Sequence, residues 1–206
     1  MNKFIALAGN IASGKTTAAR LIKQEFDYEL FEEPVIDNRF LGDYYNDMKR
    51  WSFTLQLEFL INRFEHHKLI ETIDKHCVQD RTLIEDAGIF AKYLHSTGKM
   101  NDKEYLLYLD YFSHFNNQVK QPDRIIYLEI KDENILLDRI LNKRKRKEEA
   151  NIDVNFLKGL NSLYNIFPQI AQEKYGIPVT IINYENINVK QKKGKQKFLD
   201  LIERLI

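Results

Sequence analysis

The chain has 206 residues, 44% of them hydrophobic, with thirty-one basic against thirty acidic side chains and a formal net charge of +1. That length fits one domain with a buried core, and the near-neutral balance excludes a global field that would recruit nucleic acid or an anionic membrane surface, so any electrostatic function is local. Cys77 is the only cysteine, which excludes an intrachain disulfide and fits a reducing compartment. The apolar run at the N-terminus lacks a signal-peptide cleavage pattern, and no run approaches about 18 apolar residues, so a soluble cytoplasmic protein is expected.

In chain order, KFIALA at 3–8 reads as a buried strand and YELFE at 28–32 as a second. Residues 51–75 have helical spacing, CVQD at 77–80 reads as a short strand, and IIYLEI at 125–130 as another. A second long helical segment spans 153–175, followed by a strand at 178–183 and a C-terminal helix whose apolar face is 198, 201, 202, 205 and 206. Strands separated by helices imply an α/β fold with a mostly parallel sheet and helices on both faces. No internal repeat or low-complexity linker marks a boundary, so residues 1–206 are expected to form a single domain.

The sharpest local pattern is GNIASGKTT, residues 9–17, directly after the first strand and before the helical run AARLIKQEF. It matches GxxxxGK[ST]. In such a loop backbone N–H groups from Gly9, Asn10, Ile11, Ala12, Ser13, Gly14 and Thr17 converge on phosphate oxygens, helped by the dipole of the following helix. Lys15 reaches the β and γ phosphates and Thr16 can ligate Mg²⁺. A nucleoside triphosphate, ATP, is the expected donor. What receives the phosphate is a separate question. A base-reading NKxD and a DxxG switch are absent, since NKRK at 142–145 lacks the aspartate, and nothing couples hydrolysis to a second domain. A small-molecule kinase is the simpler reading; a hydrolysing switch or binding module is the reading from another class.

Four further motifs follow the phosphate loop in order: FEEPV at 31–35, YYNDMKRWSFTLQLEFLINRF at 44–64, QDRTLIED at 79–86 and RKRKEE at 144–149. Their order and spacing resemble the deoxynucleoside kinases of the deoxyadenosine, deoxyguanosine and deoxycytidine group, and in particular its bacterial purine-preferring members, over roughly residues 1–185. The resemblance implies a P-loop kinase fold with a central five-stranded parallel sheet and a short flap at about 139–150. It also implies a homodimer and transfer of the ATP γ-phosphate to a deoxynucleoside 5′-hydroxyl for nucleotide salvage. A nucleoside monophosphate kinase of thymidylate-kinase type is the alternative. Its acceptor carries a phosphate and needs extra cations, where FEEPV supplies carboxylates.

The residues bear a physical reading beside that resemblance. Gln56 and Arg63 lie seven positions apart on a helix, on one face and about 10 Å apart along the axis. An amide can pair bidentately with a purine edge or a cytosine edge. The resemblance gives Gln56 the base contact, pairs Arg63 with Asp86 beside it, and stacks Phe90 on the base. A carboxylate such as Asp86 can accept from an exocyclic amino group, which thymine lacks, so deoxyadenosine is favoured, with deoxyguanosine and deoxycytidine open. Thr82 and Glu85 also fit a capping box.

QDR ends a strand, where open parallel sheets place ligands. The resemblance brings Arg81 to the reacting phosphate and the 5′-oxygen, and turns Asp80 toward the Mg²⁺ shell, directly or through water. In RKRKEE it assigns Arg144 and Arg146, with Arg139 upstream, to the phosphates of ATP, and Glu149 with Tyr45 to the sugar 3′-hydroxyl. The family's usual Arg-Gly-Arg is Arg-Lys-Arg here, and the segment from Arg139 is one residue longer, which leaves the register of Arg139 open. His66 and His67 read as an exposed helix face, and the five lysines within 190–197 as a solvated one. In FEEPV, Pro34 biases Glu33 to an extended backbone. The resemblance places Glu33 at the 5′-hydroxyl as general base, with Asp80 as the other candidate; Glu32 has no assigned task.

Overall fold

The computed structural model describes residues 2–33 and 38–206. Pro34 and Val35 of FEEPV lie outside the described residues. Five strands form one sheet: β1 (Phe4–Ala8), β2 (Glu29–Phe31), β3 (Cys77–Asp80), β4 (Arg124–Glu129) and β5 (Val179–Asn183). All pairs are parallel and the order is β2-β3-β1-β4-β5. Every residue of β1 is buried, as expected of a strand covered on both faces.

The helices follow the expected alternation: α1 (Lys15–Phe26), α2 (Leu41–Asn46) and α3 (Met48–Thr72) precede β3. A short α4 (Leu83–Glu85) runs through a wide π turn at Asp86–Ala91 into α5 (Lys92–Ser96), and α6 (Asp102–Asn116) leads to β4. After β4 come α7 (Glu133–Asp138), a second π turn at Arg139–Arg144, and a 3₁₀ turn at Lys147–Glu149. Then α8 (Val154–Tyr164), α9 (Phe167–Tyr175), β5 and α10 (Lys192–Glu203) complete the chain. Helix α1 packs on β1, β2 and β3, and Ile70 of α3 closes over Phe4, Phe31 and Cys77. Phe198 and Ile202 of α10 are fully buried.

Three expectations change. The run 153–175 is two helices, because Pro168 has no N–H to give the carbonyl of Tyr164; the chain restarts with Pro168 in the first turn of α9, where no donor is needed. His67 is fully buried, not exposed: Nδ1 lies 3.0 Å from the Lys120 carbonyl and the ring meets Phe4 edge-on. Burial pushes its pKa down to about 4. His66, packed on Phe31, is half-buried and likewise pushed down to about 4 by desolvation. Thr82 caps α4 by accepting from Glu85 N at 3.1 Å, but the Glu85 carboxylate turns inward instead of completing the box.

This topology places the site. Between β3 and β4 on the central strand β1, the crossovers leave in opposite directions, opening a crevice at the carboxyl ends. Leu7 is in register with Asp80, and Arg81 N donates to Leu7 O at 2.9 Å, so the phosphate-loop strand and QDR end side by side.

Candidate active site

The loop between β1 and α1 closes one end of a cavity of about 1090 Å³. Gly9 has φ 151° and a Cβ there would lie 2.7 Å from Ser13 Oγ, while Gly14 has φ 107°; both positions require glycine. Ile11, Ala12, Gly14, Lys15, Thr16 and Thr17 line the cavity. Gly9, Asn10 and Ser13 are buried behind it. Asn10 pins the loop to α8 by donating to Leu157 O at 2.9 Å and Asn161 Oδ1 at 2.7 Å. Lys15 Nζ donates to the carbonyls of Gly9 (2.8 Å) and Asn10 (2.9 Å). Burial, then the Arg81 charge, lowers its pKa to about 8 against the pull of Asp80, Glu85 and Glu33. A charged phosphate in the loop would reverse that shift.

Thr16 Oγ1 donates to Asp80 Oδ2 at 2.6 Å. Asp80 Oδ1 is buried with no hydrogen-bond partner among the described residues, and burial raises the carboxyl's pKa despite Lys15. A hydroxyl and an unsatisfied hard oxygen beside a phosphate loop fit Mg²⁺, which takes few protein ligands and draws the rest from phosphates and water. No cluster of three or more His, Cys, Asp or Glu among the described residues offers a closed protein cage.

At the other end, four charged side chains interlock. Glu33 Oε1 sits 2.7 Å from Arg81 Nε and 3.3 Å from Arg63 Nη2. Burial opposes its charge, but the two guanidiniums outweigh it and hold the carboxyl below its usual range. Arg63 Nε is 2.6 Å from Asp86 Oδ2 and its Nη1 donates to the Asp80 carbonyl at 2.6 Å. Burial lifts Asp86 to about 6, with Arg63 opposing. Gln56, Tyr45, Asp86 and Phe90 line the cavity. The Phe90 ring packs 4.5 Å from Arg81 Cζ, so one face holds the guanidinium. Arg63 shares the buried face of α3 with Gln56 as expected, but it is only 1% exposed and outside the lining, held behind Glu33 and Asp86. Glu32 also lines the cavity but is half-exposed, and it pairs bidentately with Arg20 at 2.6 and 2.7 Å.

Arg139, Lys143, Arg144, Arg146 and Glu149 line another side of the cavity. Arg139 Nη1 donates to Ser13 O at 2.9 Å, directly on the phosphate loop. Arg144 and Arg146 reach Glu149 at 3.0 and 3.4 Å. Residues Arg139–Arg144 form a π turn, wider than an α turn. Lys145, standing in for glycine, takes the left-handed backbone that glycine favours, φ 53°. Glu149 is buried and its pKa raised by that burial, while Tyr45 nearby is raised by burial and by the Glu149 charge.

Sequence reasoning missed Glu85 and Tyr164. Glu85 Oε1 accepts from Gly9 N (3.1 Å), Arg81 Nη1 (2.8 Å) and the Tyr164 hydroxyl. Its own signal, a carboxylate three residues after a threonine, reads in sequence as a capping box, and Tyr164 sits on a helix with no motif of its own.

Comparison with known proteins agrees with this geometry. The family model "Deoxynucleoside kinase" matches residues 5–206. A deoxyadenosine kinase of Dictyostelium discoideum is 37% identical over 87% of this chain and 71% of its own length. A deoxyadenosine/deoxycytidine kinase of Bacillus subtilis is 34% identical over 79% of this chain and 75% of its own. Among solved structures, deoxyadenosine kinase from M. mycoides with bound dATP superposes with a TM-score of 0.80 at 27% identity, over 97% of this chain and 100% of that one. With a parallel five-stranded sheet, a phosphate loop at its switch point and a family match over nearly its whole length, the chain belongs to the deoxynucleoside kinases, which are phosphotransferases.

Proposed function

We propose that this protein transfers the γ-phosphate of ATP to the 5′-hydroxyl of a deoxynucleoside, with deoxyadenosine preferred and deoxyguanosine and deoxycytidine as further acceptors, in nucleotide salvage. The observation that carries this reading is Glu33 beside Arg81 in the cavity lining, 2.7 Å apart. A carboxylate there suits an uncharged hydroxyl acceptor and repels a phosphorylated one. The guanidinium next to it suits anionic oxygens in the transition state.

In this reading the phosphate loop from Gly9 to Thr17 holds the triphosphate, with Lys15 leaving its loop carbonyls for the phosphates, and Arg139, Arg144 and Arg146 close over them and exclude water. Thr16 and Asp80 would hold Mg²⁺, which neutralises phosphate charge when bound. Gln56 and Asp86 offer donor and acceptor groups to a base edge carrying an amino group; Phe90 supplies an apolar face, while Tyr45 and Glu149 take the sugar 3′-hydroxyl. Glu33 orients the 5′-hydroxyl for in-line attack and takes its proton late, because a carboxyl held below its usual pKa is a weak base and positioning carries more of the rate.

A cytoplasmic location is part of the same reading. It is supported by the buried, unpaired Cys77 and by the absence, among the described residues, of a helix long and apolar enough to cross a membrane. So is a homodimer, supported by the exposed Ile61 and Leu69 of α3 and Leu106, Leu107 and Tyr111 of α6, two helices joined by the Phe64–Phe115 stack. A monomeric sedimentation mass would remove that part.

Competition among the four deoxynucleosides at equal concentration, with the 5′-monophosphates separated and counted, tests the acceptor. Deoxyadenylate should dominate; a thymidylate majority would overturn the assignment of Gln56 and Asp86.

A further inference from the structure

Arg81 joins the two ends of the cavity, and its guanidinium is built into the protein along one edge. Its backbone is left-handed, φ 73°, a costly conformation for a residue with a Cβ, so the direction of the side chain is imposed by its surroundings. Nε faces Glu33 at 2.7 Å, toward the acceptor end. Nη1 faces the other way, its two protons shared among Gly9 O at 2.9 Å, Glu85 Oε1 at 2.8 Å and Tyr164 Oη at 3.0 Å.

Those three partners form one unit. Glu85 Oε1 also accepts from Gly9 N at 3.1 Å, so a single carboxylate oxygen binds both the Arg81 edge and the peptide that enters the phosphate loop. Gly9 O already accepts from Lys15 Nζ at 2.8 Å and from Arg81, which uses its two lone pairs. The single proton of Tyr164 therefore goes to Glu85, leaving the phenol oxygen to accept from Arg81. Tyr164 is held in turn by Tyr127, whose ring stacks on it with centroids 5.2 Å apart. Glu85 and Tyr164 are both fully buried, and neither lines the cavity. An apolar side chain at 85 would fill that volume without the cost of desolvating a charge. It would not tie a guanidinium edge and a loop N–H to one point.

We propose that Glu85 and Tyr164 are positioning residues for phosphoryl transfer: together they lock the Nη1 edge of Arg81 to the Gly9 peptide, so that the Nε edge beside Glu33 keeps a fixed register with the phosphate loop. Donor and acceptor ends are thereby aligned by one oxygen atom. Neither residue touches substrate, and both act through Arg81 and Gly9. This inference rests on the kinase reading of the cavity.

The test is steady-state kinetics with deoxyadenosine and ATP on Tyr164→Phe, Glu85→Gln and Glu85→Ala, each in the wild-type and the Arg81→Lys background, with thermal melts to fix the folded fraction. Misplacement of a reacting group is worth up to about 10²-fold, so Tyr164→Phe should lower kcat about tenfold and Glu85→Ala about a hundredfold, with KM for ATP within about threefold. Glu85→Gln, which keeps a carbonyl oxygen, should recover part of that loss. In the Arg81→Lys background Tyr164→Phe should cost less than about twofold, because residues acting as a unit are not additive. Unchanged kcat on folded Tyr164→Phe, or the same loss in both backgrounds, would overturn the inference. Should Glu85→Ala not fold, the conservative Tyr164→Phe decides alone. A wild type with no acceptor-dependent transfer would fall on the kinase reading and take this inference with it; a competent wild type with an unimpaired Tyr164→Phe falls on this inference only.

Discussion

At the scale of single residues, the site depends on carboxylates set at different strengths by their surroundings. Glu33, held below its usual pKa by Arg81 and Arg63 against the cost of burial, stays charged and oriented. Glu33→Gln should lower kcat by roughly 10² or more, the size typical of a positioned acid-base group, and leave ATP affinity nearly intact; near-normal turnover would move the role to Asp80. Asp86 differs, since burial lifts it from 3.8 to about 6. As pH falls through that value it gains a proton and loses an acceptor oxygen, so KM for deoxyadenosine should rise below pH 6 with ATP binding little changed. The sign for stability is opposite. A carboxyl raised in the folded state favours folding most below its ordinary value, and that contribution is lost as pH rises through the raised one. Acid inactivation through Asp86 is therefore separable from unfolding, and a melt at pH 5.5 alongside the kinetics checks it. Glu33, Arg81 and Asp86 were legible through the motifs FEEPV and QDRTLIED and the family resemblance those motifs carry. Glu85 was not, because its local role as partner of Thr82 is real and its carboxylate answers to Gly9, 76 positions away. His67 was misread for the same reason: its acceptor, Lys120 O, is 53 positions distant.

At the scale of elements, periodicity located the strands within a residue or two and missed the irregular turns. A one-residue excess between Arg139 and the flap arginines looks in sequence like lost register. In the fold residues Arg139–Arg144 form a π turn, and Arg139 reaches Ser13 O while Arg144 reaches Glu149. Hydrophobic spacing cannot see this, since an added residue in one wide turn leaves the flanking apolar positions where they were. The helix break at 165–166 was readable from Pro168 and was masked by the apolar run on either side. The left-handed Lys145 gives the flap its own prediction. A β-branched residue is a severe misfit at positive φ and glycine is at ease there. Lys145→Gly should keep kcat, whereas Lys145→Val should lower it several-fold as Arg144 and Arg146 lose their common partner Glu149. Equal turnover of the two variants would mean that this backbone angle does not organise the flap.

At the scale of the whole molecule, alternation of strands and helices predicts a parallel sheet but not which strands are neighbours, because each strand carries its burial and not its partner's. The order β2-β3-β1-β4-β5 sets Leu7 against Asp80 and so brings residues 9–17 against residues 80–86. The motifs name the parts of the site, and the sheet order supplies their meeting. It also explains how Glu33, at the end of the edge strand β2, and Arg81, after β3, share one salt bridge above the switch point. The central claim is that this crevice moves a phosphoryl group to a nucleoside hydroxyl and not to water. The direct measurement is the stoichiometry of ADP and deoxynucleoside 5′-monophosphate formed from ATP and Mg²⁺ with and without deoxyadenosine. Near one-to-one formation, with little ADP when the acceptor is omitted, is the predicted result; ADP formed at the same rate without acceptor, and no 5′-monophosphate, would contradict it.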